Sequence, residues 1–214
     1  MPTRDEQDYE RKRQRIMDGA LQVFASKGFE KATNRDVARA AGIKSPGLIY
    51  HYFKDKSDLL VQAMQRHVPT LDLLLNQQEA LMQRPPREVL TALGSGLLAI
   101  TENPPAIAVL KVLLSESARR PGVAAVLNVF GPRRGITFLS RYLARQMDAG
   151  TMRRMDPGAA ARCFAGPIIA YILTRSIFPQ DDAASLDTET MLRAAVDVFL
   201  RGMEVEVESA ASGG

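Results

Sequence analysis

From Lys44 to Lys56 the chain reads KSPGLIYHYFKDK. Small and hydroxyl-bearing residues come first, then aromatic rings with polar tips, then cations. Those types suit the groove and backbone of a nucleic-acid duplex. A helix that reads bases presents small or polar groups on its first exposed turn, while groups around it hold phosphates. Ser45, Pro46, Gly47 and Leu48 supply such a turn. Gly47 has no side chain, so the backbone there can come close to a groove. Lys44 stands just ahead, within reach of a guanine or a phosphate. Tyr50, His51, Lys54 and Lys56 follow, each able to donate a hydrogen bond to a phosphate oxygen. Thr33, Asn34 and Arg35 open the preceding helix, whose first N–H groups favour an anion, as do those at Lys56. Each signal is weak alone. A tyrosine on an amphipathic helix is more often half-buried packing, and a lone histidine is more often a surface residue. The grouping at this spacing carries the reading.

These residues need a frame, and the local pattern predicts one. A first helix over Tyr9–Ser26 carries Ile16, Ala20 and Phe24 in one row with Met17, Leu21 and Val23 beside it. Gly28 ends it and Phe29 folds back on it. Arg11, Lys12, Arg13 and Arg15 stand at its start, where cations oppose the helix dipole. A nearby phosphate makes that arrangement useful; a solvated, fraying turn is the equal alternative. Thr33 and Asp36 form a capping box for a second helix running to Ala41. Gly42 stops it. Ser45 and Pro46 start a third helix that ends near Tyr52. Ile49 and Phe53, four apart, face the core against Phe24, Val37 and Ala38. The helix-turn-helix proper is 33–53, inside a DNA-binding domain of residues 9–56.

Beyond it, residues 57–206 read as further helices. The fourth is a long one from Lys56 to Gln83, kinked at Pro69, with Leu71, Leu74 and Leu75 on its buried side. Others cover Arg87–Thr101 and Ala106–Arg119. The seventh follows Pro121-Gly122 and reaches Ala149, with a bend at Gly131-Pro132. The eighth runs from Asp156-Pro157 to Ile177 or Phe178, kinked at Pro167, and the ninth from Leu186 to Val205. Residues 1–8 and 207–214 are expected to be flexible tails. No stretch alternates apolar and polar residues at period two. The expected fold is all-α, with about nine helices.

Composition narrows the class. The chain has 214 residues, is 46% apolar and lacks Trp, a size and mix that suit one or two helical domains with a real core. Of the +4 formal charge, +3 lies in the first 60 residues, a weak pointer to nucleic acid on that end. A single cysteine, Cys163, excludes an internal disulfide framework and suits a reducing cytosol. The longest apolar run, Cys163 to Leu173, falls far short of the roughly 20 residues that span a bilayer. A cytoplasmic protein is expected. Gly94-Ser95-Gly96-Leu97-Leu98-Ala99 fits a loose dinucleotide fingerprint, but a helical pattern precedes it where a strand is needed. His51 and His67 are too far apart for one helical face and have no cysteine beside them. No catalytic site, metal site or cofactor is expected.

The motifs together resemble the DNA-binding domain of TetR-family transcriptional regulators. The resemblance covers residues 15–60, about a fifth of the chain. It runs through A-x-x-x-F-x-x-x-G-F at Ala20, Phe24, Gly28 and Phe29, R-D-V-A-R-A-A-G at Arg35–Gly42, and I-Y-H-Y-F-K-D-K-S-D-L at Ile49–Leu59. The closing helix, AAVDVFLRGM at Ala194–Met203, adds a weaker likeness. Two features depart from the family pattern. The turn Gly42-Ile43-Lys44-Ser45 is one residue longer than the commonest form, and Asn34 stands where an apolar residue is frequent. The longer turn leaves open which third-helix residues face bases.

The resemblance implies a ligand-responsive regulator, most commonly a repressor, that binds a palindromic operator as a homodimer and is released by an effector. It implies a dimer built from the last two helices. Leu192, Val196, Phe199 and Met203 recur at seam spacing, and Ile168 and Ile172 stand on the helix before. The same residues equally suit the core of one chain. A small-molecule pocket is implied among helices four to eight. Its candidate lining is Met64, Met82, Phe138, Tyr142, Cys163, Phe164, Tyr171 and Arg175, a mostly apolar set that suits an apolar or aromatic effector. Plain core packing is the commoner role for each. The alternative from another class is a helical adaptor or small-molecule-binding protein without DNA binding. It leaves the grouping of Lys44, Tyr50, His51, Lys54 and Lys56 unexplained.

Overall fold

Helix signals at the chain start are stronger than the tail expectation allowed. The Thr3 hydroxyl accepts the Glu6 N–H, and the Glu6 carboxylate accepts the Thr3 N–H at 2.6 Å. This capping box starts α1 (Arg4–Lys27), so residues 4–8 are helical. Arg11 to Arg15 consequently sit in the middle of a helix and do not oppose its dipole; Asp5 and Glu6 occupy the first turn instead. The computed structural model describes residues 3–67, 76–119, 121–130, 132–181 and 185–205.

Eleven α-helices and no strand form the described residues. After α1 come α2 (Asn34–Ala40), a 3₁₀ turn over Pro46–Leu48 leading directly into α3 (Ile49–Tyr52), and α4 (Lys56–His67). The later helices are α5 (Gln78–Met82), α6 (Pro86–Leu98), α7 (Pro104–Ser117), α8 (Pro121–Phe130), α9 (Pro132–Asp148), α10 (Pro157–Ile172) and α11 (Thr188–Gly202). Five of them have proline as their first residue, where the missing N–H costs nothing. Side-chain caps reinforce three starts. Asn103 accepts from Ala106 at 3.0 Å, Asp156 from Ala159 at 2.6 Å and Asp187 from Thr190 at 2.8 Å.

The count exceeds nine because two of the expected helices are each divided. Residues 121–149 form α8 and α9, two helices, with Pro132 opening the second. The long fourth helix corresponds to α4 and the separate α5. Its expected kink at Pro69, and Leu71, Leu74 and Leu75, lie outside the described residues. At Pro167, where a kink was expected within one helix, α10 runs through the proline and continues as a π turn over Leu173–Ile177.

The apolar row of α1, from Ile16 to Phe24, is buried, and α1 packs on α2, α4 and α7. It therefore links the N-terminal helices to the later ones. Around α10, α9 packs on one side and α11 and α6 on others. Gly94 of α6 lets this happen: a Cβ there would lie 2.5 Å from a Leu192 methyl and 3.2 Å from one of Ile168. Among the described residues no single helix is long and apolar enough to cross a membrane. Pro86–Glu102 and Pro104–Ser117 reach that composition only as a pair, and the pair is bent by 94°.

Candidate nucleic-acid interface

The turn between α2 and α3 closes in a defined way. Gly42 has φ +62°, and its N–H donates to the Arg39 carbonyl at 3.2 Å while the Ile43 N–H donates to the Ala38 carbonyl at 2.9 Å. This pair of bonds is a Schellman ending, and it needs the left-handed residue that glycine supplies. Arg15 of α1 donates to the Gly42 carbonyl at 2.8 Å, tying the turn to the first helix. Ser45 has extended backbone but makes no side-chain cap, and the helix opens as a 3₁₀ turn, with Leu48 N–H to Ser45 carbonyl at 3.1 Å. Its hydroxyl is thereby left on the surface rather than folded onto the helix end.

Ile49 and Phe53 are buried in the core, as their spacing predicts. With that side fixed, Lys44, Ser45, Gly47, Tyr50, His51 and Lys54 are exposed together, and Pro46 and Leu48 are half-buried between them. Tyr50 is 65% exposed, too open for a packing role. Behind this row Tyr52 lies under Tyr9 of α1, ring centroids 4.6 Å apart, and His51 meets the edges of both rings at 5.4 and 6.1 Å. Burial, with Tyr9 beside it, pushes the Tyr52 hydroxyl above its usual range.

Two expected anion sites are already engaged within the chain. At the start of α2 the Thr33 hydroxyl donates to Asp36 at 2.7 Å and accepts the Asp36 N–H at 3.2 Å. Lys27 reaches the same carboxylate at 2.6 Å. Thr33 is a cap, and a negative charge already occupies this helix end; Asn34 is half-buried and Arg35 exposed beside it. Lys56 is also turned inward. Its ammonium donates to the Glu30 carbonyl at 3.1 Å and the Ala32 carbonyl at 3.4 Å, and stands 4.7 Å from the Phe29 ring centroid. It braces the link between α1 and α2. The α4 start is capped by Asp55, which accepts from Asp58 N–H at 2.8 Å.

The Asp36 cluster makes an acid-labile joint. Lys27, then Thr33, hold the Asp36 carboxyl at about 2, below its usual 3.8. A carboxyl lowered in the folded state adds stability above its unfolded value and loses it as pH falls through the folded one. Urea midpoints measured from pH 3.8 down to pH 2 are therefore expected to fall more steeply for the wild type than for Asp36→Asn. Parallel curves would show that the joint contributes nothing.

In the later helices, the eight candidate pocket residues divide. Met64, Phe138, Tyr142, Phe164 and Tyr171 are buried, and Met82 and Arg175 half-buried. Phe138 stacks near Tyr142, centroids 6.3 Å apart. The Tyr142 hydroxyl donates to the Arg84 carbonyl at 2.8 Å, and burial pushes it up to about 12. Tyr171 and Arg175 both donate to the Leu186 carbonyl, at 2.7 and 2.8 Å. Cys163 does not belong with them: it is exposed and lines an outer groove with Met155, Pro167, Met191, Ala195 and Val198.

The residues expected at the dimer seam pack within this chain, and Phe199 and Met203 among them also line the outer groove beside Cys163. Ile168, Ile172, Val196, Phe199 and Met203 are buried inside this chain, and Leu192 is half-buried with them. Phe164 and Phe199 meet edge-on at 5.4 Å, so this stripe joins α10 to α11 within one copy. The apolar residues left outward on the two helices include Ile169 and Val198, the latter 71% exposed. Periodicity finds a buried stripe but not what buries it.

Comparison with known proteins agrees with the helix-turn-helix and the all-helical fold. Residues 16–63 match the bacterial regulatory proteins of the tetR family, and residues 88–202, over half the chain, match the C-terminal domain of AefR-like transcriptional repressors. The chain belongs to the TetR family of transcriptional regulators. It is thus a DNA-binding regulator and not an enzyme. YerO of Bacillus subtilis, an uncharacterized HTH-type transcriptional regulator, is 36% identical over 80 residues, spanning 37% of this chain and only 27% of YerO. YvkB of the same organism, also uncharacterized, is 24% identical over 192 residues, 90% of this chain and 97% of YvkB. Among solved structures, SmeT in complex with triclosan superposes with a TM-score of 0.69 at 21% identity, covering 95% of this chain and 96% of SmeT. At that identity the likeness establishes the regulator's fold alone.

Proposed function

We propose that this regulator is a ligand-responsive repressor that binds a palindromic operator as a homodimer and leaves it when a small apolar or aromatic effector binds. The observation that carries the DNA reading is the exposed row Lys44, Ser45, Gly47, Tyr50, His51 and Lys54 on a helix anchored from behind by Ile49 and Phe53. In this reading residues 9–56 grip DNA, with α1 extending that domain toward the start of the chain. Residues 57–206 hold effector and partner, and the protein works in the cytoplasm. Lys44 to Leu48 face bases, Tyr50, His51 and Lys54 hold phosphates, and Arg35 approaches the backbone from α2. Two copies would set two reading helices about one duplex turn apart, or a multiple of it.

The outward sides of α10 and α11 support the pairing. Their outer groove of about 370 Å³ is lined by Met155, Pro167, Met191, Ala195 and Val198 with Phe199 and Met203 of the expected seam, a mostly apolar surface with Arg153 at it. Buried Met64, Phe138 and Phe164, with half-buried Met82, support an apolar effector; SmeT, of the same fold, is described with triclosan.

The decisive experiment is selection of binding sequences from random duplexes. The expected product is a palindrome whose retention falls steeply as salt rises, because bound phosphates release counterions. A purified protein that retains no duplex at low salt would sink the reading and leave the adaptor alternative. Sedimentation at micromolar concentration is expected to show a dimer that Val198→Glu converts to monomer.

A further inference from the structure

Of the four cations on α1 between residues 11 and 15, two are already paired. Arg11 donates to Asp8, one turn back. Arg13 lies 3.5 Å from Glu10, donates to Gln62 of α4 and stands 5.8 Å from the Phe53 ring centroid. The other two, Lys12 and Arg15, are exposed and turn to a different place. They line a cleft of about 370 Å³ between α1 and the α2–α3 turn, with Lys44 and Ser45 from the turn. Ile43 and Leu48 line the same cleft.

This combination has a definite chemistry. Three cations and a hydroxyl supply donors, while Ile43 and Leu48 are apolar. A phosphodiester has the complementary character: charged oxygens next to the largely apolar face of a deoxyribose. Arg15 spends one terminal nitrogen on the Gly42 carbonyl at 2.8 Å, which pins the guanidinium to the turn. The remaining N–H groups of its five are available to an anion. Asp8, the carboxylate one turn before Lys12, is neutralised by Arg11. The cleft also adjoins Ser45 and Leu48, so its occupant would lie beside the bases those residues face.

We propose that the cleft is a second DNA-backbone site, with Lys12 and Arg15 holding a phosphodiester that flanks the base pairs read by α3. It rests on the DNA-binding reading and extends the footprint beyond the reading helix. Lys12 is the residue to change, because it is exposed and its loss leaves the Arg15 tie intact. Lys111 of α7, exposed and not part of the cleft lining, is the control for a simple loss of charge.

The test uses the full-length protein and a duplex recovered by selection against it, made in two lengths: the palindromic core alone, and the core with native flanks. The slope of log affinity against log salt is measured for each. On the long duplex, Lys12→Gln is expected to lower the slope by about 0.9 per half-site, the release expected for one phosphate, with the thermal midpoint unchanged. Lys111→Gln should leave the slope as it was. On the short duplex, wild type and Lys12→Gln should bind alike. Equal slopes for wild type and Lys12→Gln on the long duplex overturn the site, as does an equal drop from Lys111→Gln. A wild type that retains neither duplex is a different failure: it removes the DNA reading itself.

Discussion

Replacing Gly19 with valine is expected to break the joint between α1 and α2 and abolish DNA retention. A Cβ at Gly19 would stand 2.8 Å from the Ala41 amide nitrogen, 3.1 Å from the Ala40 carbonyl carbon and 3.2 Å from the Ala41 Cα. All three are backbone atoms, so no rotamer change relieves the clash. The two helices must separate, and with them the Schellman turn and the Arg15 tie that set the pitch of α3. Overpacking of this kind costs about 1–3 kcal/mol and occasionally more. Alanine makes the sharper measurement. At an open helix site Gly→Ala gains about 1 kcal/mol of helix propensity. The clash is with backbone alone and is expected at the upper end of the overpacking range, about 2–3 kcal/mol, so Gly19→Ala is expected to lose about 1–2 kcal/mol net of that gain, a fall in thermal midpoint of roughly 2–8 °C at this chain length. An alanine variant as stable as the wild type would mean that α1 and α2 do not approach so closely.

The second large effect divides the exposed row by role. Tyr50→Ala and Lys54→Ala are expected to weaken binding to every sequence by a similar factor, and Lys54→Ala to lower the salt slope by about 1 per half-site for the phosphate it no longer holds. Gly47→Ala is expected to change which sequences are selected. Its Cβ would meet nothing nearer than the Ser45 hydroxyl at 3.7 Å, so the fold accepts it and the new methyl points into open space. At a base-facing position such a change alters discrimination by about 1–3 kcal/mol at the base pair it meets, on the order of tenfold to a hundredfold. Lys44→Ala belongs with Gly47 if the ammonium reaches a base edge, and with Tyr50 if it stays at the cleft with Lys12. Selection profiles for the four variants separate these outcomes. A uniform loss across sequences for all four would refute the division.

Much of the reading element was legible because its determinants are local. The Thr33–Asp36 capping box, the Gly42 stop, the Pro46 start and the burial of Ile49 and Phe53 each depend on residues only a few positions apart. The Thr3–Glu6 box had the same signature and was legible on the same grounds; the polar composition of residues 1–8 masked it. Pro132 at a first helical position likewise accounts for the division of residues 121–149 where a bend was expected.

What the sequence determined by itself is the family motif, the all-helical fold and which side of each helix is apolar, because caps, turns and periodicity are short-range. Only the tertiary structure decided what each side meets. Lys56 and Lys54 look alike in sequence, yet Lys56 is spent on carbonyls 26 and 24 residues away while Lys54 stays exposed. The stripe through Val196 and Phe199 suits a seam between copies and the core of one chain equally in sequence; in the fold it packs α11 on α10, with Phe199 meeting Phe164. Lys12 and Arg15 suit a phosphate contact and a fraying turn equally in sequence; in the fold they are the wall of a cleft, because the Gly42 turn folds against them from 27 residues on. A hydrogen bond between distant segments leaves no periodic trace in the chain; it exists only once packing has brought both partners to one place.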